Sequence, residues 1–228
     1  MILIASMAEP AGYRTAGGWD HKIRFEELTG HPALIMHYSQ VNPEFVTRYG
    51  FRALFITGFG YGWEKVPPSA TYGLNDVLHE LTDLPVLGAC GGHQLIGWLF
   101  NHDVRKLKAF RDEPMRKLRP GEPDMHPDYH PGYYAEMGMQ PIEIVTPDPI
   151  FRGLKSGFLV REAHYCEVKK LPSGFIHLAR NANCELQAFR HADRPLYGAQ
   201  FHAETWTDHY KDGRTFIRNF FRIAGLIK

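Results

Sequence analysis

Four short apolar runs punctuate the first ninety residues: MILIA (1–5), ALIMHY (33–38), RALFIT (52–57) and LPVLGA (84–89). Stretches of helical character separate or follow them. Residues 20–29 have helical spacing and stop before Gly30, and Asn42 with Pro43 is a cap-and-start pair for a helix to about Tyr49. Further helices are predicted over roughly 72–82 and 91–100. Strands that are apolar on both faces and alternate with helices specify a parallel sheet covered on both sides. The βα units are too few to close a barrel, so an open, doubly wound, mostly parallel α/β sheet is expected. The second half reads differently. PIEIV (141–145), GFLVR (157–161), GFIHLA (174–179), CELQAFR (184–190) and LYGAQF (196–201) are joined by short turns, which predicts a small antiparallel extension before a final return to the main sheet. Residues 207–223, with Phe216, Phe220 and Ile223 at helical spacing, predict a closing helix.

The 228 residues, 44% of them hydrophobic, suffice for a sizeable core, and one domain over 1–228 is expected. A formal net charge of +1 gives no global electrostatic case for nucleic acid or an anionic membrane. The basic run at 105–119 reads as a solvated face, or else as a docking surface for an acidic partner or phosphate. Three cysteines, Cys90, Cys166 and Cys184, without a CxxC pair, argue for a reducing compartment. The N-terminus lacks a basic leader and reads as a first strand, and no apolar run is long enough to span a bilayer. A cytoplasmic protein is expected.

Residues 101–140 have no clear period and contain RPGEPDMHPDYHPGYY. A long irregular segment in a compact domain predicts a lid or docking surface. His126 and His130, with Asp124 and Asp128, are the residues there that resemble metal ligands. The prolines preclude a helix that would align them, and no second cluster completes a site. No metal and no cofactor are expected.

Gly88-Ala89-Cys90-Gly91-Gly92 follows the fourth apolar run. It has the form of a nucleophile elbow, a sharp strand-to-helix turn that lifts one side chain above the sheet and demands small residues two before and two after it. A thiol at a helix start is favoured as thiolate, and the N–H of Gly91 is a candidate oxyanion donor. A buried structural cysteine, or a phosphate-binding turn, has the same local signature. A base decides between them. His202 and Glu204, at the end of the last apolar run, lie two apart and share one side of an extended strand. Glu204 can then orient the imidazole while its other nitrogen faces a thiol.

These two stretches resemble the class I, triad-type glutamine amidotransferase family, whose pattern is G-apolar-C-x-G-x-Q followed far downstream by G-x-Q-F-H-P-E. The first reads Gly88-Ala89-Cys90-Gly91-Gly92-His93-Gln94 here, and the second Gly198-Ala199-Gln200-Phe201-His202-Ala203-Glu204. The resemblance covers most of the chain and implies a flavodoxin-like architecture. It also implies Cys90 as nucleophile, His202 as base and then acid, Glu204 as orienter and Gln94 as a substrate-holding residue. The N–H of Gly91, with backbone from Gly58 or Phe59, would form the oxyanion hole. Ala203 replaces the family's frequent proline, and Thr57-Gly58-Phe59-Gly60 replaces its Gly-Gly loop.

The implied function is a stand-alone glutaminase that supplies ammonia to a separate synthetase. A hydrolase of γ-glutamyl amides or peptides acting alone would use the same thioester chemistry. A non-catalytic binding protein on this scaffold is the third reading, opposed by the complete Cys90, His202 and Glu204 set.

Overall fold

The computed structural model describes residues 1–15 and 17–228. Its described residues form one nine-stranded sheet in the order β2-β1-β3-β4-β9-β8-β7-β5-β6. The strands are β1 (Ile2–Ser6), β2 (Ala33–His37), β3 (Ala53–Ile56), β4 (Val86–Ala89), β5 (Glu136–Ile144), β6 (Phe158–His164), β7 (Phe175–Arg180), β8 (Ala188–His191) and β9 (Leu196–Ala199). The five strands from β2 to β9 are parallel, in the flavodoxin order, and the remaining four are antiparallel. Both the doubly wound sheet and its antiparallel extension are therefore as expected.

Two cores flank the sheet. Along β1, Ile2 and Ile4 enter one while Leu3 and Ala5 enter the other, as period-two geometry requires. The first core is closed by α2 (Trp19–Thr29) and α6 (Asp212–Ile223), through Phe25, Phe216, Phe220 and Phe221. The second lies under α3 (Pro43–Arg48), α4 (Tyr72–Glu80) and α5 (Gly91–Asn101). Burying each large apolar side chain stabilises the fold by about 1.5–3 kcal/mol. Asn42 caps α3 as its sequence predicts, accepting the Phe45 N–H at 2.9 Å. No helix among the described residues is long and apolar enough to cross a membrane.

Several boundaries differ from the sequence expectation for local reasons. A short helix, α1 (Pro10–Thr15), is one that the sequence pattern does not predict. The closing helix starts at Asp212, because Thr207 and Tyr210 close a turn: the Thr207 hydroxyl accepts the Tyr210 N–H and the Tyr210 carbonyl accepts the Thr207 N–H. β8 starts at Ala188, because the Asn181 side chain accepts the N–H groups of Asn183 and Cys184 and folds that stretch into an Asx turn. β5 starts five residues early, at Glu136, and pairs with β6 despite Gly138 and Pro141. The irregular segment therefore runs from about 102 to 135 and returns to the body as a strand.

Candidate active site

Strand β4 ends at Ala89, and Cys90 is the cap residue of α5. Its φ of 49° is one of only two positive values outside glycine among the described residues. Such backbone costs of order 1–3 kcal/mol and persists where the surroundings hold it. Here they do. The Cys90 N–H donates to the Ala199 carbonyl at 2.8 Å, and its own carbonyl accepts the Gln94 N–H at 3.0 Å. A Cβ on Gly88 would stand 2.5 Å from the Gly92 carbonyl oxygen, and one on Gly92 would stand 2.4 Å from that of Ile56. The glycines flanking Cys90 are thus imposed by backbone-to-backbone approach of helix and strand.

His202 and Glu204 meet Cys90, but by a different local geometry from the one expected. β9 ends at Ala199, and residues 203–205 form a 3₁₀ turn. The His202 N–H donates to the carbonyl of Arg161 in β6 at 2.8 Å, fixing the backbone from the side. Within the turn, His202 Nδ1 donates to Glu204 Oε1 at 2.7 Å. A Cβ on Gly58 would lie 3.1 Å from both Cys90 Cβ and His202 Cε1, so thiol and imidazole stand side by side over a glycine. Burial disfavours charge on His202, but the Glu204 carboxylate and the Cys90 sulfur outweigh it and raise its pKa well above the ordinary range. Burial likewise opposes the Glu204 charge, and the His202 imidazolium more than compensates, lowering its pKa.

A Cβ on Gly91 would meet the Phe59 ring at 2.4 Å and the Phe59 nitrogen at 3.3 Å, so the two backbone segments expected to supply oxyanion donors are adjacent. Gln94 is more constrained than expected. Its side-chain Oε1 accepts the Trp63 indole N–H at 2.8 Å, and its Nε2 donates to the Cys166 carbonyl at 2.7 Å and to Gln200 Oε1 at 3.1 Å. It lines the cavity while bracing Trp63 and the backbone at residue 166.

That cavity, about 530 Å³, opens beside Cys90 and is walled by Trp63, Asp112, Tyr129, His164 and Tyr165, among others. Of the four candidate ligands of the irregular segment, His126 bonds the Tyr165 hydroxyl, His130 bonds Asp112, and Asp124 accepts backbone N–H groups of His126 and Gly132. Among the described residues, His126, Asp124 and Asp128 join no cluster of ligating atoms with His130.

Sequence reasoning missed Glu136, Glu162 and His164. On β6 the inward positions are Phe158, Val160, Glu162 and His164, so an apolar face turns polar as it nears the cavity. That alternation was a readable signal. The contribution of Glu136 comes only from its pairing opposite His164. His164 donates from Nδ1 to the Cys166 carbonyl at 2.9 Å and from Nε2 to Glu136 at 3.1 Å. Glu136 also accepts from Asn181, Asn183 and Gln187, which marks it as the ionised partner. Burial alone would lower the His164 pKa, but the hydrogen bond to Glu136 and the Glu162 carboxylate 3.4 Å away push it up to about 10. A raised folded-state pKa contributes stability that is complete below the unfolded value of about 6.5 and is lost as pH rises through the folded value. Thermal melts from pH 6.5 to 10 should therefore show a steeper loss of Tm in wild type than in His164→Gln. Parallel slopes would show that His164 is not held as a cation.

With this geometry in place, comparison with known proteins is decisive for the family. The family model for glutamine amidotransferase class-I matches residues 62–224. The chain belongs to that family. Curated relatives include a glutamine-hydrolyzing GMP synthase subunit of Methanosarcina acetivorans, 36% identical over 149 residues, which are 65% of this chain and 64% of the relative. The same-named protein of Pyrococcus furiosus is 35% identical over 147 residues, 64% of each chain. The match thus spans just under two thirds of those relatives' length. Among solved structures, the glutaminase domain of Trypanosoma brucei CTPS with bound acivicin aligns with a TM-score of 0.69 at 14% identity, covering 100% of this chain and 94% of that one. A glutamine amidotransferase from Thermotoga maritima aligns at 0.61 and 18% identity, covering 99% and 94%. These structural likenesses establish the fold.

Proposed function

We propose that this amidotransferase-family chain is a glutaminase that releases ammonia for a separate synthetase. The carrying observation is the convergence of Cys90, His202 and Glu204 at the mouth of a cavity walled by Phe59 and Gly91. The Cys90 thiolate attacks the side-chain amide carbon. The N–H groups of Gly91 and of Gly58 or Phe59 donate hydrogen bonds to the oxyanion. His202, held protonated and oriented by Glu204, gives its proton to the leaving nitrogen, and ammonia departs from a γ-glutamyl thioester. Water then loses a proton to His202, attacks the thioester and releases glutamate and the thiol. Gln94 sets the cavity wall from behind, through Trp63 and the backbone at residue 166.

The curated relatives, named as glutamine-hydrolyzing parts of a synthase, support a synthetase partner. In this reading residues 1–228 act as one domain in the cytoplasm, and the segment near 101–140 is the lid or docking loop, since its Asp112 and Tyr129 already face the cavity. One observation favours a second reading, hydrolysis of γ-glutamyl amides without a partner. The ring of Phe59 occupies the loop where the family pattern has glycine, beside a cavity roomy enough for a larger leaving group.

The test is ammonia release from glutamine against amine release from a panel of γ-glutamyl amines, each with and without cell extract. Glutamine should be the preferred substrate, with extract raising its turnover. Faster turnover of γ-glutamyl amines, indifferent to extract, would replace the first reading by the second.

A further inference from the structure

The irregular segment carries a second chemistry-bearing cluster to the wall of the Cys90 cavity. Asp112 lies early in that segment, His130 lies in its proline-rich run, and Cys166 follows β6. Their ligating atoms all lie within 4.8 Å of one another. His130 Nε2 is 2.9 Å from Asp112 Oδ2 and 4.0 Å from Cys166 Sγ.

We propose that Asp112, His130 and Cys166 form a three-ligand site for a divalent transition ion of the zinc class, with its open coordination position facing the cavity. One sulfur, one imidazole nitrogen and one carboxylate oxygen are the donor set of a borderline-soft ion such as Zn²⁺ and not of Mg²⁺ or Ca²⁺. Tetrahedral bonds of about 2.0–2.3 Å place donor atoms roughly 3.3–3.8 Å apart. The observed separations of 2.9 and 4.0 Å lie to either side of that range and the third pair is within 4.8 Å, so binding requires the sulfur to move inward and the His130–Asp112 hydrogen bond to part.

The carboxylate is oriented from outside the cluster. The Trp63 backbone N–H donates to Asp112 Oδ1 at 2.8 Å and the Tyr129 hydroxyl to Oδ2 at 2.6 Å. Partners of this kind fix ligands at metal sites. His130 is the other non-glycine residue with positive φ among the described residues, at 56°, and that backbone carries its ring to Asp112. Its side chain is 23% exposed, which gives an ion a path from solvent. The sequence argued against His130 as a ligand because the prolines preclude a helix aligning it with His126 and no second cluster completes a site. The fold supplies its partners from residues 112 and 166. An ion held there pins the irregular segment to the body and covers the acidic end of the cavity.

The measurement is titration of the full chain carrying Cys90→Ala, which removes the other cavity thiol, with Co²⁺ and then Zn²⁺. One equivalent of Co²⁺ should give sulfur-to-cobalt charge-transfer absorption that Zn²⁺ displaces. Cys166→Ser in that background should abolish the absorption, and His130→Asn, which tolerates the left-handed backbone, should weaken affinity at least about tenfold. If Cys166→Ser does not fold, His130→Asn and Asp112→Asn decide by the same affinity criterion. No stoichiometric binding to the Cys90→Ala protein, or binding unchanged by these substitutions, overturns the site and leaves Asp112, Tyr129 and His130 as a hydrogen-bonded network alone. Because the readout is metal binding by a protein without Cys90, its outcome is independent of the glutaminase reading.

Discussion

Cys90→Ala should reduce glutamine hydrolysis to background and abolish labelling by a glutamine-analogue electrophile. The prediction discriminates because Cys166 lies on the wall of the same cavity. Cys166 lacks the elbow and the helix start, the imidazole beside it, His130, is bonded to Asp112, and burial pushes its thiol well above the ordinary range. Cys166→Ala should therefore leave labelling intact, and the reverse pattern would assign the nucleophile to the wrong residue. His202 transfers protons in both half-reactions, so His202→Ala should lose at least about 10²–10⁴-fold in kcat/KM. Glu204→Gln should lose less, because the amide can still accept from Nδ1 while withdrawing the charge that favours imidazolium. Near-wild-type rates for both variants would refute the triad.

Gly92→Ala should produce a large loss of stability. The new carbon would stand 2.4 Å from the Ile56 carbonyl oxygen and 2.9 Å from its carbonyl carbon, both backbone atoms of β3 that cannot rotate away. Helix α5 would have to lift off the sheet. Overpacking of this kind costs about 3 kcal/mol, which for a chain of this size lowers Tm by roughly 6–12 °C. Gly60→Ala is the matched control, since its Cβ would have nothing within 4 Å and its φ is not positive. Equal melting temperatures for the two variants would show that the elbow tolerates a side chain.

The parallel half of the sheet was legible because each of its strands is apolar on both faces, a pattern that burial on two sides enforces locally. Cys90 was legible for a similar reason. Gly88 and Gly92 record, in the sequence, a helix pressed against two strands. His202 and Glu204 were legible as a pair although the reasoning that joined them assumed extended backbone. A 3₁₀ turn joins them instead, and the short separation along the chain keeps both geometries within reach of one hydrogen bond.

Turn chemistry set the limits of the antiparallel half. Asn181 and Thr207 bond backbone N–H groups two or three residues away and end or delay elements that hydrophobicity alone would extend. Conversely, β5 begins at Glu136 because seven residues of pairing with β6 override Gly138 and Pro141.

The sequence by itself determined the doubly wound sheet, the elbow around Cys90 and the His202–Glu204 pair, because each depends on residues close together in the chain or on periodicity. Only the tertiary structure decided which groups surround them. Glu136 meets His164 across a strand pair, Asp112 and His130 meet Cys166 across a loop, and Trp63 meets Gln94 between a loop and a helix. Contacts between residues dozens of positions apart leave no periodic trace, since chain connectivity constrains neither their spacing nor their order.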